Sequence, residues 1–152
     1  EIPQAATWTI ELGDSSLTML QPLFQTMFAD VQIVEDLPVA TVNGAPLDGV
    51  IRPVLERFEF DVPLATRDEF VEVWLQYQIN LYEPNGDLIV EWPVTGYGKA
   101  ELRRANREQS VGRAAVIAMR EVGAAIATQF ADQPQVSYWL EERQDAAAAL
   151  SN

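Results

Sequence analysis

Residues 70–82 read Phe-Val-Glu-Val-Trp-Leu-Gln-Tyr-Gln-Ile-Asn-Leu-Tyr. Val71, Val73, Leu75, Tyr77, Ile79 and Leu81 fall on one parity, and Phe70, Glu72, Trp74, Gln76, Gln78, Asn80 and Tyr82 on the other. Successive side chains of a strand point to opposite faces, so the stretch predicts a long β-strand with one face toward a core. Glu83-Pro84-Asn85-Gly86-Asp87 follows, and Asn-Gly is the strongest short hairpin signal. Residues 88–95 then read as the partner strand, with Leu88, Val90, Trp92 and Val94 on the core side. Gly96-Tyr97-Gly98 is expected to end or bulge that strand.

Upstream, Val50, Val54, Phe58, Phe60 and Val62 share one parity of another strand, and Arg57, Glu59 and Asp61 the other. Pro53 makes its first half edge-like or bulged. Residues 35–48, with two prolines and Asn43-Gly44, read as a loop or weak hairpin, and Val31 to Val34 as a short strand. Leu17, Leu20, Phe24, Met27, Phe28 and Val31 recur at helical steps after Asp14, Ser15 and Ser16, which are good N-cap types. Pro22 lies inside that helix, which should end near Ala29 or Asp30. Residues 5–12 alternate as a first strand, placing Trp8 in the core.

Downstream, residues 99–109 are polar and basic. From Ser110, Val111, Ala115, Ala118, Val122, Ala125, Ile126 and Phe130 form a second helical stripe, and its small residues suit close approach to a sheet. Asp132-Gln133-Pro134 stops it, and residues 135–144 form a last element anchored by Tyr138, Trp139 and Leu140. Sheets need a covered face, and two helical stripes are available for one. The expected architecture is α+β: a mostly antiparallel sheet with two helices packed on one face, a two-layer sandwich. It is expected as a single domain over 1–152, with a core of about 7–131 and a C-terminal extension of 132–152.

The chain has 152 residues, a size suited to one core. It contains neither histidine nor cysteine. Disulfides, thiol nucleophiles, Ser-His triads and the usual zinc and copper sites are thereby excluded within it. No apolar run approaches the roughly 18 residues of a membrane-spanning helix. The net charge is −13, which disfavours whole-surface nucleic-acid binding. Residues 1–98 hold three basic and sixteen acidic side chains, whereas 99–120 hold six basic against two acidic. This positive island contains Arg103, Arg104 and Arg107, which either balance acidic strands or contact a carboxylate- or phosphate-bearing partner.

Trp74 shares its parity with polar residues, together with Phe70 and Tyr82. These three aromatic residues are candidates for a docking patch on an open sheet face, unless residues 35–48 or the Trp139 segment fold over Trp74. Partner binding is therefore assigned to Trp74, Phe70, Tyr82, Arg103, Arg104 and Arg107. Glu72 and Glu91 are the strand carboxylates that a glycosidase reading would pair, but solvated strand carboxylates are the simpler reading. Gly96-Tyr97-Gly98-Lys99 lacks the spacing of a phosphate loop. Neither Asp61 with Asp68-Glu69 nor Asn85 with Asp87 has EF-hand spacing. No metal, cofactor or catalytic residue is expected.

Four stretches carry a resemblance: Gly13-x3-Leu17-x2-Leu20-x3-Phe24-x3-Phe28, Leu55-Glu56-Arg57-Phe58-Glu59-Phe60, Tyr82 to Leu88 with Trp92 and Gly96-Tyr97-Gly98, and Ala115 to Phe130. Their order over roughly residues 7–131 resembles that of small envelope lipoproteins of Gram-negative bacteria. These include auxiliary lipoproteins of ABC-type transport systems and the lipoprotein partner of the lipopolysaccharide-assembly barrel. The resemblance implies a non-enzymatic binding or assembly module, periplasmic and outer-membrane-tethered. Its expected partner is an envelope protein, with lipid or lipopolysaccharide as a further candidate and no nucleic acid. The chain opens Glu1-Ile2-Pro3, which is expected of a processed or trimmed product whose lipidated cysteine is removed with the preceding segment. The alternative is a small ligand-binding or hydrolytic α+β domain with a cavity between sheet and helices. An inhibitor that docks a basic target through its acidic surface is a third reading.

Overall fold

A computed structural model of the chain describes residues 12–39, 41–63 and 69–151. The expected strand 5–12, with Trp8, falls outside the described residues except at Leu12, which opens helix α1 (Leu12–Met27). The architecture is α+β, as expected. After α1 come a small hairpin, β1 (Thr41–Val42) and β2 (Ala45–Pro46), and three long strands, β3 (Val50–Asp61), β4 (Phe70–Tyr82) and β5 (Leu88–Glu101). Helices α2 (Arg107–Gln129) and α3 (Pro134–Leu150) close the chain. The long strands form an antiparallel sheet in the order β3-β4-β5. Helix α2 packs on β5 and β4, and α1 packs beside α2.

Strand β4 is central and follows its alternation throughout. Val71, Val73, Leu75, Tyr77, Ile79 and Leu81 are all buried. Its two partners depart from simple alternation. A bulge between Leu55 and Arg57 inserts Glu56 into β3 and reverses its parity. Ile51 and Leu55 therefore face inward before the bulge and Phe58 after it, while Val54, expected inside, is exposed. In β5 a shift opposite Leu81 and Tyr82 adds Ile89. Leu88 thereby moves out to pair with Tyr82, and only Val90, Trp92 and Val94 of the four expected residues enter the core.

Gly96-Tyr97-Gly98 does not end β5, which runs on to Glu101. The two glycines face α2, and a Cβ on either would overlap a helix carbonyl, that of Ala118 at Gly96 and of Ala114 at Gly98. They are there because the helix backbone lies on the strand, not because the chain turns. The true turns use glycine differently. Asn43 and Gly44, both at positive φ, join β1 to β2, and Gly86 takes φ +99° between β4 and β5. Residues 31–34 form no strand.

Helix α2 starts at Arg107, earlier than expected. Asn106 caps it by accepting from the Gln109 N–H at 3.0 Å. Val111, Ala114, Ala118, Met119, Val122 and Ile126 form its buried stripe. Phe130 then meets Phe28 edge-on at 5.3 Å and Trp92 at 6.0 Å, tying both helices to the sheet. Pro134 opens α3 rather than merely ending α2. Val136 and Trp139 of α3 are buried in the core, so residues beyond 131 contribute to it. Tyr138, expected to anchor this element, is 64% exposed. No single helix among the described residues is long and apolar enough to cross a membrane.

Candidate functional site

The sheet offers two places where chemistry is concentrated, one on each face. The outer face is the one α2 leaves uncovered. Trp74 lies there, 40% exposed, with its ring 5.5 Å from that of Tyr97 on β5. The Tyr97 hydroxyl donates to Glu72, and its backbone N–H donates to the Glu121 carboxylate of α2. The bond to Glu72 is the main reason that the Tyr97 phenol titrates above its usual range. Phe70 is 47% exposed, and the Lys99 ammonium sits 4.5 Å from its ring centroid.

The loop after β5 lies beside the start of β4, because the Leu102 N–H donates to the Glu69 carbonyl. Arg103 and Arg104 on this loop, and Arg107 at the start of α2, are exposed. Among the described residues none of these three guanidinium groups makes an ion pair. Trp74, Phe70 and the three arginines thus gather toward one end of the sheet. Tyr82 does not join them. It sits at the opposite end of β4, about 26 Å along the strand from Trp74 at 3.3 Å per residue.

Tyr97 was missed in the sequence because glycines on both sides read as a strand end. Had β5 been extended through them, parity would have placed Tyr97 opposite Trp74. Neither element expected to fold over Trp74 does so. Trp139 lies against Gly49 and Leu81, on the inner side, and residues 35–37 and 46–48 line a cavity there. Glu72 and Glu91 do not form a pair, since Glu72 is opposite Lys99 and Glu91 opposite Asn80. Asn85 and Asp87 bond to each other within the turn, at 2.9 Å. No group of three metal-ligating side chains occurs among the described residues.

The second place is that cavity, of about 700 Å³, on the inner face where β3 has no helix packed directly on it. Leu20 and Phe24 of α1, with Phe28 just after it, form one wall, and Ile51, Leu55 and Leu81 of the sheet another. Trp139 and Leu140 of α3 and residues 29–37 also line the cavity. Tyr77 and Ser16 supply polar atoms to the interior, with hydroxyl oxygens 2.5 Å apart. The Tyr77 hydroxyl also reaches the Met119 sulfur at 3.4 Å. Burial pushes the Tyr77 phenol above its usual value and outweighs the opposing Ser16 bond, so it stays protonated at neutral pH. At the rim Arg143 donates to Glu83 at 2.6 Å, pinning α3 to the β4–β5 turn.

No family model and no curated protein matches the chain. Among solved structures, one similar chain is a candidate lipoprotein from Caulobacter crescentus CB15. It is 13% identical, the match covers 81% of this chain and 86% of that one, and the TM-score is 0.45.

Proposed function

We propose that the chain is a non-enzymatic binding module of the bacterial cell envelope, a lipoprotein accessory to a transport or assembly system. In this reading it works in the periplasm, tethered to the outer membrane by a lipid on a segment preceding Glu1. The order of α1, the β4–β5 hairpin and α2 supports the compartment through its resemblance to small envelope lipoproteins. The observation that carries the binding role is the uncovered end of the sheet. Toward that end lie the Trp74–Tyr97 pair, the Phe70–Lys99 contact and, on the loop beside Glu69 and the start of α2, Arg103, Arg104 and Arg107, which make no ion pair among the described residues. Aromatic and arginine side chains with little to satisfy them internally are the usual anchors of protein interfaces. An envelope protein with an acidic segment is the partner this surface suits, and lipid or lipopolysaccharide phosphates are the second candidate. Tyr82 lies outside this surface.

Two measurements test the reading. The precursor, expressed in its host, should incorporate labelled palmitate and fractionate with the outer membrane. A photo-crosslinking residue at position 74 or 103 should capture one discrete partner, while the same residue at position 80 or 91 of the outer face should not. Cytoplasmic recovery without acylation, or equal capture at all four positions, would defeat it.

The cavity favours a second reading, a small-ligand-binding domain. At about 700 Å³ it falls within the roughly 300–1,000 Å³ range of small-molecule sites.

A further inference from the structure

We propose that the cavity takes a single-chain amphiphile bearing an ammonium head. Its hydrocarbon chain would lie between α1, β3 and α3, with the head at the mouth. This inference rests on the ligand-cavity reading and deepens it. The interior specifies the chain. Phe24, Phe28, Ile51, Leu55, Leu81 and Trp139 present apolar surface from several directions, and a flexible hydrocarbon is the ligand that such a wall desolvates most completely. Ile33, an exposed lining residue, adds apolar surface where the cavity opens to solvent.

The mouth specifies the head. Asp30, Glu35, Asp36 and Asp48 line the cavity and are exposed, which sets them where it opens to solvent. Two basic residues also line the cavity, Arg52 and Arg143. Arg143 is already held by Glu83. Arg52 lies on the outward parity of β3, opposite Asn80. The carboxylates therefore outnumber the cations at the opening, within a chain whose net charge is −13. A fatty-acid carboxylate or a phosphate head would enter against this field, and an ammonium head would enter with it.

The test uses the purified chain and a neutral fluorescent probe, Nile red. Saturable Nile red binding at one site per chain is expected from the cavity alone. Three competitors sharing a dodecyl chain then separate the head groups below their micelle concentrations: dodecyltrimethylammonium, dodecanoate and dodecyl maltoside. Dodecyltrimethylammonium should displace the probe at a concentration about tenfold or more below that of dodecanoate, with the maltoside between them. Raised salt should narrow the gap. The surface variant D30N/E35Q/D36N/D48N should close the gap and leave Nile red binding intact. Leu55→Trp should remove probe binding, with far-UV circular dichroism confirming the fold. If Nile red does not bind saturably, the cavity reading falls and this inference with it. If Nile red binds and dodecanoate competes as well as the cation, the head-group assignment alone is overturned.

Discussion

Under α2 the sheet and its helix are in backbone contact, whereas toward β3 the same face is separated from its cover by about 700 Å³. The residues at the two seams explain the difference. Gly96 and Gly98 on β5 meet Ala114 and Ala118 on α2, so nothing larger than a methyl group keeps the backbones apart. Around the cavity the facing residues are Phe24, Phe28, Tyr77 and Trp139, which hold their elements apart. One seam is close-packed, and interiors of that density respond to the change of a single methyl group. The other has room to absorb changes in side-chain volume. The comparison teaches that one sheet face can be scaffold at one edge and receptacle at the other.

The sharpest way to break this comparison is to enlarge the tight seam. Gly98→Val should cost about 3 kcal/mol or more, since the added atoms meet backbone that cannot rotate away. Urea denaturation of the variant should show a much lower midpoint, or no folded baseline at all. A wild-type midpoint would mean that α2 is not seated as described.

Truncations at the two seams come next. Ile126→Ala, in the buried stripe of α2, should cost about 3 kcal/mol. Leu55→Ala, half-buried at the cavity wall, should cost about 1 kcal/mol, because its neighbours already leave space beside it. Equal losses in denaturant unfolding would show that the two seams are packed alike.

Smaller effects belong to the outer face and the rim. Trp74→Ala removes the ring contact with Tyr97, so about 1 kcal/mol or less of stability should go, while partner capture is lost. A large stability loss without a change in capture would make Trp74 a structural residue instead. Arg143→Gln breaks the partly exposed pair with Glu83 and should cost up to about 1 kcal/mol, less at high salt.

The last expectation concerns pH. The folded-state pKa of Tyr77 lies above the ordinary value of 10.0, so above pH 10 the unfolded chain releases this proton first. The stabilisation is complete below that pH and is lost as pH rises toward the folded pKa. Tyr77→Phe should therefore flatten the alkaline fall in thermal stability. Part of the fall should remain, because Tyr97 and Tyr138, beside Glu72 and Glu142, are shifted the same way. An identical alkaline profile would remove the phenol from the account.

Much of the fold was legible because it follows local periodicity. β4 alternates with its core residues on one parity, Asn85-Gly86 marks its turn, and the α2 stripe repeats at helical spacing. What misled were residues whose meaning depends on a distant neighbour. Glu56 carries no mark of a bulge, so the parity of β3 before it was assigned backward. Gly96 and Gly98 look like a terminus until α2 is placed above them, and that reading hid Tyr97. The candidate partner surface was half legible: Trp74 and Phe70 could be read from parity, and strand length alone sets Tyr82 far from Trp74, but only the third dimension brings Arg103 beside the start of β4.

Alternation and helical spacing determined by themselves that this chain builds an antiparallel sheet covered by helices, because burial of apolar surface acts on every turn and every second residue locally. Charge counting likewise placed a basic segment in an acidic chain. The cavity was decided only by tertiary structure. Its volume is what remains when Phe24, Tyr77, Leu55 and Trp139, from four separate elements, cannot approach one another as closely as Gly98 and Ala114 do, and no single stretch of sequence records that distance.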